Sequence, residues 1–301
     1  MEGGMKRRGV LAVLAAAVLA ACATAPPPRP EAGFRSERIS VVTRGAGPDV
    51  IFIPGLTSHR DVWADTAAAL EGRYRVHLVQ LNGFAGFDAA GNAEGPVAAP
   101  VAEEIARYIE EEGLERPAVI GHSMGGTMGM MLAARHPDSV GKLMVVDMFP
   151  WMGAMFGPPG ATAESVRPVA DAMRTQMLTA PAGQTSMAEQ MIAGMIRTER
   201  ARAQHVEYAR NSDRRTVANA FHELIVTDLR PELANITAPT TVLFVIPPEL
   251  PIPAEQYEGY MRTSYLSLPG ARIVKVEDSY HFIMIDAEER FIADVEAFLA
   301  Q

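Results

Sequence analysis

Short apolar runs rich in β-branched residues alternate along the chain with longer segments of helical periodicity. The short runs predict strands, because buried strands read as apolar runs of about four to eight residues between turn signals. The predicted strands are residues 39–43, 50–53, 76–81, 118–120, 143–146, 241–246 and 273–276. The predicted helices, with apolar residues at three- and four-residue spacing, are residues 61–70, 101–112, 124–135, 254–265 and 287–299. This alternation predicts an α/β fold, with a mostly parallel sheet flanked by helices on both faces.

The alternation stops between Met148 and about Arg230, where the pattern is helical and offers no convincing strand. We interpret residues 148–230 as a helical cap that is inserted after the sixth core strand. The segment is rich in methionine, and its methionines include Met148, Met152, Met155, Met173, Met177, Met187, Met191 and Met195. Methionine adapts to apolar ligands of varied shape, so these side chains predict a pliable acyl-binding pocket or, more simply for most of them, packing of the cap on the core.

The first 22 residues have the order of a secretory leader. A basic segment (6–8) precedes an apolar run (10–21) and then Cys22. The apolar run is 12 residues long, and a helix needs roughly 20 to span a bilayer. Residues 19–22 resemble a bacterial lipobox, which implies cleavage before Cys22, its lipidation and attachment to the envelope; Ala23 favours the periplasmic face of the outer membrane. The alternative is an ordinary leader that releases a soluble periplasmic protein.

The proline-rich residues that follow the leader are expected to form an extended, solvated tether. The chain then divides into four parts. They are a signal peptide (1–21), a lipidated cysteine with its tether (22–36), an α/β core (37–147 and 231–301) and the cap (148–230). The part after the tether is long enough for one large α/β domain or for a core with an inserted cap.

The net charge limits the expected classes of partner, and the cysteine count excludes a disulfide within the chain. The formal net charge is −9, and an acidic surface argues against nucleic acid or anionic lipid head groups as partners. Membrane contact is therefore expected only through the N-terminal lipid. Cys22 is the single cysteine, so no disulfide can form within the chain. The oligomeric state is left open by the sequence.

One short motif, Gly121-His122-Ser123-Met124-Gly125, stands between a predicted strand and a predicted helix. A G-x-S-x-G sequence in this position indicates a nucleophile elbow, a tight strand-to-helix turn that exposes the serine hydroxyl at the carboxyl edge of the sheet. The helix that follows also directs the positive end of its dipole at the serine. The plainer alternative is a glycine-rich connection such as any α/β protein contains.

Four segments together resemble the α/β-hydrolase family, over the chain from Val50 to the C-terminus. They are Phe52-Ile53-Pro54-Gly55-Leu56 after an early strand, the elbow GHSMGG, Pro239-Thr240-Thr241-Val242-Leu243 after the cap, and Asp278-Ser279-Tyr280-His281-Phe282 before the last helix. The elbow and the late histidine are the most specific of the four. The resemblance implies a capped hydrolase fold of the serine esterase type, with nucleophile, acid and base in that order along the chain.

A serine hydroxyl needs a base to take its proton, and histidine is the usual base. Among the seven histidines, His281 follows the last predicted strand by a short loop that would end near Ser123, and the resemblance implies the same residue. His122 is expected to point away from the nucleophile's side, and His59 could line the pocket. The other four are interpreted as structural or surface residues: His77, His136, His205 and His222.

Two carboxylates are candidates for the acid that orients the histidine. Relatives most commonly carry an Asp in the loop after the strand that follows the cap, but residues 246–250 read Ile-Pro-Pro-Glu-Leu. The family's other position is the end of the strand after the elbow helix, and that strand runs into Asp147. We therefore take Asp147 as the acid and keep Glu249 as the alternative. Asp278 is too close to His281 along the chain and is interpreted as a turn former.

Attack on a carbonyl places negative charge on oxygen, which fixed backbone N–H groups receive efficiently. The resemblance assigns this oxyanion hole to the N–H groups of Leu56 and Met124. Pro54 stands where many relatives have His, a change that leaves the neighbouring glycine intact. Residues 82–87 stand where relatives often have an Asp-containing turn; Phe84 or Phe87 there could line the entrance or pack under the cap.

The sequence therefore predicts a serine hydrolase that cleaves a carboxylic ester, of the carboxylesterase type, through an acyl-enzyme. Its expected partner is a small to medium acyl substrate, with amides and lactones as alternatives. The alternative from another class is a catalytically inactive hydrolase-fold binding protein of the envelope. Ser123 argues against epoxide or carbon–halogen cleavage, for which relatives use an aspartate at the elbow. No metal or cofactor is implied, because the chain has neither H-E-x-x-H spacing nor a nucleotide-binding glycine motif.

Overall fold

The computed structural model describes residues 1, 34–181, 185–247, 252–268 and 270–301. Residues 34–301 form one compact unit. The predicted leader, its lipidation site Cys22 and most of the predicted tether lie outside the described residues, and so does Glu249. No helix among the described residues is both long and apolar enough to span a membrane.

A seven-stranded sheet forms the centre of this unit, in the spatial order β1-β3-β2-β4-β5-β6-β7. The first strand is antiparallel to β3, and every other neighbouring pair is parallel. The strands are β1 (Ile39–Arg44), β2 (Asp49–Ile53), β3 (Arg75–Leu81), β4 (Ala118–His122), β5 (Lys142–Val146), β6 (Thr240–Phe244) and β7 (Arg272–Lys275). Every residue of β4 and β6 is buried, as expected for strands of a parallel sheet that is covered on both faces.

Ten α-helices accompany the sheet in the described part of the chain. They are α1 (Ala64–Leu70), α2 (Ala98–Glu111), α3 (Met124–Arg135), α4 (Ala163–Thr179), α5 (Met187–Met195), α6 (Glu199–Arg210), α7 (Arg214–Val226), α8 (Ala254–Ser264), α9 (Ile283–Asp286) and α10 (Glu288–Leu299). The predicted helix 61–70 is divided, because its first turn is a 3₁₀ helix, Arg60–Trp63. This architecture confirms the predicted α/β fold, in which a mostly parallel sheet is flanked by helices.

The strand register brings three chain segments to one edge of the sheet. His122 is paired with Val146 at the carboxyl ends of β4 and β5. The next residue of each strand continues the ladder: the N–H of Ser123 donates to the oxygen of Val146 over 2.9 Å, and that of Asp147 donates to the oxygen of Leu243 over 2.7 Å. Since carboxyl ends of parallel strands share an edge, the loops that follow β4, β5 and β7 converge there.

The helices between β5 and β6 form the predicted insertion. It contains a 3₁₀ helix, Met152–Phe156, and the helices α4 to α7. The described residues have no strand before Ile39, so in chain order the insertion follows the fifth strand and not a sixth. Trp151, only 2% exposed, links its two ends, because the indole N–H donates to the oxygen of Ile225 over 2.8 Å.

A buried carboxylate attaches the insertion to the core. Glu223 on α7 accepts hydrogen bonds from the N–H groups of Val97, Ala98 and Ala99, over 2.6, 2.7 and 2.9 Å. These are N–H groups at the start of α2, which the helix itself cannot satisfy. The negative charge also lies at the positive end of the helix dipole.

Candidate active site

Ser123 occupies a strained turn between β4 and α3. Its backbone angles are φ 53° and ψ −122°, a conformation that costs a non-glycine residue about 1–3 kcal/mol. The flanking glycines allow the turn to close. A Cβ on Gly121 would lie 2.1 Å from the oxygen of Gly125, and a Cβ on Gly125 would lie 2.1 Å from the oxygen of Ile53. Both positions of the G-x-S-x-G motif therefore require glycine.

A short hydrogen bond joins His281 to Asp147. The Nδ1–H group of the imidazole donates to Oδ2 of the carboxylate over 2.6 Å. The other carboxylate oxygen, Oδ1, accepts the N–H of Val245 over 3.0 Å, so the carboxyl group is held at both oxygens. With the proton on Nδ1, Nε2 of His281 carries a lone pair and can accept a proton. The side chains are 18% and 7% exposed, which leaves the imidazole open to a ligand and the carboxylate shielded.

His122 contacts the backbone of the same loop. Its ring is completely buried, and its Nε2–H donates to the backbone oxygen of His281 over 3.0 Å. Burial lowers the pKa of His122 well below the usual value, and the nearby His281 lowers it further. The ring is therefore neutral at neutral pH. Within the described residues its Nδ1 has no hydrogen-bond partner.

The position of His122 differs from the expectation that it points away from the nucleophile's side. Its ring lines the same cavity as Ser123 and lies 4.6 Å from the ring of His281, measured between centroids. Sequence reasoning could not find this contact, because His281 is separated from it by 159 positions along the chain.

Two backbone N–H groups are free to bind an oxyanion. In the described part of the chain, neither the N–H of Leu56 nor that of Met124 donates to a protein acceptor. Met124 is the first residue of α3, where helix N–H groups lack partners within the helix. Gly55 allows the two chain segments to approach, since a Cβ there would lie 3.1 Å from the Cβ of Ser123 and 3.0 Å from Nδ1 of His122.

A cavity of about 270 Å³ joins these groups to the underside of the cap. Ser123, Asp147, His281, Gly55 and Leu56 all line it. Its remaining wall is mostly apolar, and methionines contribute much of it: Met148, Met152, Met155, Met177, Met191, Met195 and Met261. Among the described lining residues there is no lysine, arginine or glutamate.

The other sequence candidates lie elsewhere. Nδ1 of His59 accepts the N–H of Asp61, capping a 3₁₀ helix, and its ring stacks on Tyr208. Phe84 is fully buried and, like Phe87, does not belong to the described cavity wall. The exposed Asp278 pairs with Arg197 over 3.3 Å.

The remaining four histidines have structural contacts. Burial lowers the pKa of His205 to about 4, and its ring packs against Phe282, next to His281. The other three bond to carboxylates, in the pairs His77 with Asp49, His136 with Glu103 and His222 with Asp171.

Comparison with known proteins places this geometry in a family. The model of the "Alpha/beta hydrolase family" matches residues 50–294, a range that contains Ser123, Asp147, His281 and both oxyanion candidates. The chain belongs to the α/β-hydrolase family.

A curated relative within this family covers most of the chain. The pimeloyl-[acyl-carrier protein] methyl ester esterase of Aeromonas hydrophila is 28% identical over 272 residues, which cover 87% of this chain and 99% of that protein. Family membership and the named esterase relative support a hydrolase.

Two solved structures show the same fold. One is a hydrolase from Pseudomonas aeruginosa PA01, with a TM-score of 0.72 and 20% identity, covering 87% of this chain and 94% of that one. The other is the enol-lactonase from Burkholderia xenovorans LB400, with a TM-score of 0.70 and 19% identity, covering 87% and 96%. At this level of identity the likeness concerns the fold alone.

Proposed function

We propose that this α/β hydrolase is a serine esterase that cleaves a carboxylic ester through an acyl-enzyme. Ser123 is the nucleophile, His281 is the general base and then the general acid, and Asp147 orients the imidazole. The observation that carries the proposal is the 2.6 Å hydrogen bond from Nδ1–H of His281 to Asp147, in the cavity that Ser123 also lines. With the proton on Nδ1, Nε2 of the imidazole is free to accept the proton of Ser123.

Acylation follows from these roles. Nε2 of His281 takes the hydroxyl proton of Ser123 while Oγ attacks the carbonyl carbon of the ester. The carbonyl oxygen becomes an oxyanion and accepts hydrogen bonds from the N–H groups of Leu56 and Met124. Asp147 stabilises the imidazolium without taking its proton. The tetrahedral intermediate collapses when the C–O bond to the alcohol breaks and Nε2–H gives its proton to the leaving oxygen.

Deacylation repeats these steps with water as the nucleophile. His281 takes a proton from water, the hydroxide oxygen attacks the acyl carbon, and the oxyanion forms again at the same two N–H groups. When the bond to Oγ breaks, the imidazolium returns a proton to Ser123, and the carboxylic acid leaves. Every proton is thereby passed through Nε2 of a single histidine.

The composition of the cavity wall favours a substrate with an uncharged, predominantly apolar acyl or alcohol group. An anionic substrate group under the cap would lose its hydration without a lysine or arginine among the described lining residues, and the lining carboxylate of Asp147 already accepts hydrogen bonds from His281 and Val245. The volume of about 270 Å³ lies just below the roughly 300–1,000 Å³ of typical ligand sites, which favours a small to medium group. The methyl ester in the name of the Aeromonas relative agrees with an ester substrate.

Turnover of p-nitrophenyl esters tests this proposal. The purified protein is assayed with acetate, butyrate, octanoate and hexadecanoate esters, and in parallel with a fluorophosphonate probe that labels activated serines. We expect labelling, together with the highest kcat/KM on a short or medium chain, because the cavity cannot enclose the longest one.

The same assays identify the alternatives. Labelling without ester turnover would replace the ester by an amide or a lactone as the substrate. Neither labelling nor turnover would contradict the catalytic proposal and would favour a binding protein on the hydrolase scaffold.

We further propose that the protein is held at the bacterial envelope, with the outer membrane as the expected site, by a lipid on Cys22. The lipobox-like residues 19–22 support this proposal. Replacing Cys22 by serine removes the thiol that would be lipidated, so Cys22→Ser is expected to leave the membrane fraction of a fractionated cell. If the variant still sediments with membranes, the lipid-anchor proposal is wrong; a wild-type protein already in the periplasmic fraction would indicate the ordinary leader.

A further inference from the structure

The carboxylate of Asp286, outside the Ser123–His281–Asp147 set, joins the His281 loop to the cap. Asp286, at the end of α9, accepts three backbone hydrogen bonds. Its Oδ2 accepts the N–H of Tyr280 over 3.0 Å and the N–H of Arg197 over 3.0 Å. Its Oδ1 accepts the N–H of Thr198 over 2.8 Å.

These three donors belong to two different parts of the fold. Tyr280 immediately precedes His281 in the loop after β7, whereas residues 197 and 198 lead into α6 of the cap. The Arg197 guanidinium adds a second link, because it donates to the backbone oxygen and to Oδ1 of Asp278. Behind them, His205 on α6 packs its ring against Phe282. The His281 loop and the start of α6 therefore contact each other at several points, with Asp286 between them.

Three hydrogen bonds hold the loop at and next to His281. The Nδ1–H of this residue bonds to Asp147, its backbone oxygen accepts from His122, and the peptide N–H before it is bound by Asp286. The first two contacts fix the ring and the carbonyl. The third fixes the chain that enters the residue, so the imidazole has little freedom to rotate away from Ser123.

We propose that Asp286 is a positioning residue, which holds the His281 loop against the start of cap helix α6 and thereby fixes the imidazole for proton transfer. This inference rests on the proposed serine mechanism. Charge-assisted hydrogen bonds from backbone N–H groups to a carboxylate are among the stronger ones in proteins. Loss of the carboxylate leaves three N–H groups without their acceptor and frees both segments together.

Measuring kcat per active site distinguishes a positioning role of Asp286 from a role in folding. The variants are Asp286→Ala, which removes both acceptor oxygens, and Asp286→Asn, which keeps one. Active sites are counted by fluorophosphonate titration, and kcat is expressed per titrated site. We expect kcat to fall about tenfold or more in Asp286→Ala and less in Asp286→Asn, with KM nearly unchanged, because a misplacement of about 1 Å can cost about 100-fold.

Glu289→Ala is the matched control, since Glu289 is an exposed carboxylate three positions away, in the first turn of α10. A role in folding alone would lower the melting temperature and the number of titratable sites, and leave kcat per site unchanged. A kcat per site of Asp286→Ala within twofold of wild type would overturn the proposal.

Hydrogen exchange tests the same contact without catalysis. In Asp286→Ala, peptides that contain residues 278–282 and 196–199 are expected to exchange faster together, while Glu289→Ala matches wild type. Unchanged exchange in both segments would show that Asp286 does not hold them. If the wild-type protein neither reacts with the fluorophosphonate probe nor hydrolyses esters, the proposed serine mechanism is wrong. Hydrogen exchange would then still show whether Asp286 links the His281 loop to the start of α6.

Discussion

Replacing Ser123 with alanine is expected to lower kcat by roughly 10⁵- to 10⁶-fold, the loss seen when the nucleophile of a serine hydrolase is removed. The variant lacks the oxygen that forms the acyl-enzyme, while the cavity and the two oxyanion N–H groups remain. Alanine carries a Cβ like serine, so it should tolerate φ 53° and ψ −122° equally well. The melting temperature is therefore expected to stay close to that of wild type, and fluorophosphonate labelling should disappear.

Ser139→Ala provides the matched control for that experiment. Ser139 lies in the loop between α3 and β5, outside the lining of the active-site cavity. The Ser139→Ala variant should retain both fluorophosphonate labelling and ester turnover. Ser123 would not be the nucleophile if Ser123→Ala, free of contaminating activity, kept a turnover within about 100-fold of wild type.

If Asp147 orients His281 as proposed, replacing it with asparagine is expected to lower kcat by about 10⁴-fold, the loss that the same change causes in a Ser-His-Asp protease. An asparagine amide can donate to Nδ1 of His281, which would then carry the lone pair and leave the proton on Nε2. In that tautomer Nε2 cannot accept the proton of Ser123. The size of the side chain is preserved, and the carboxamide oxygen can still accept the N–H of Val245, so the loss should appear in kcat rather than in folding.

Glu249→Gln makes the comparison decisive, because Glu249 is the alternative acid. It removes a charge in the same way as Asp147→Asn, and we expect it to keep kcat within a fewfold of wild type. Both variants are assayed on the same ester, with circular dichroism as a check on folding. The reverse ranking, with a large loss in Glu249→Gln and a small one in Asp147→Asn, would assign the acid to the loop after β6.

The sequence predicts those parts of the site that depend on local pattern. An apolar run before G-x-S-x-G and a helical pattern after it are sufficient to place Ser123 between a strand and a helix. The end of a buried strand can also be found from local pattern. The apolar residues 143–146 end directly before Asp147, which predicts that Asp147 lies at the edge of the sheet. Parallel pairing then requires these carboxyl ends to meet.

Contacts between distant segments could not be predicted in this way. Nothing local to His122 shows that its ring reaches the backbone of His281, and nothing local to Asp286 shows that it faces the start of α6. Both depend on how the cap and the last loop lie over the sheet. The methionines are a similar case, because their number is visible in the sequence, but which of them reach the cavity is set by how the 3₁₀ helix Met152–Phe156 and the helices α4, α5 and α8 pack.

The attachment of the cap through Glu223 has a consequence for exchanging domains between members of this family. The carboxylate of Glu223 supplies the acceptor for three amide groups of a core helix, α2. The secondary structure of the core is therefore completed by a residue of the insertion. A cap transplanted from a relative would have to bring its own acceptor to that helix end, or the recipient core would expose unpaired amides where its own cap had covered them.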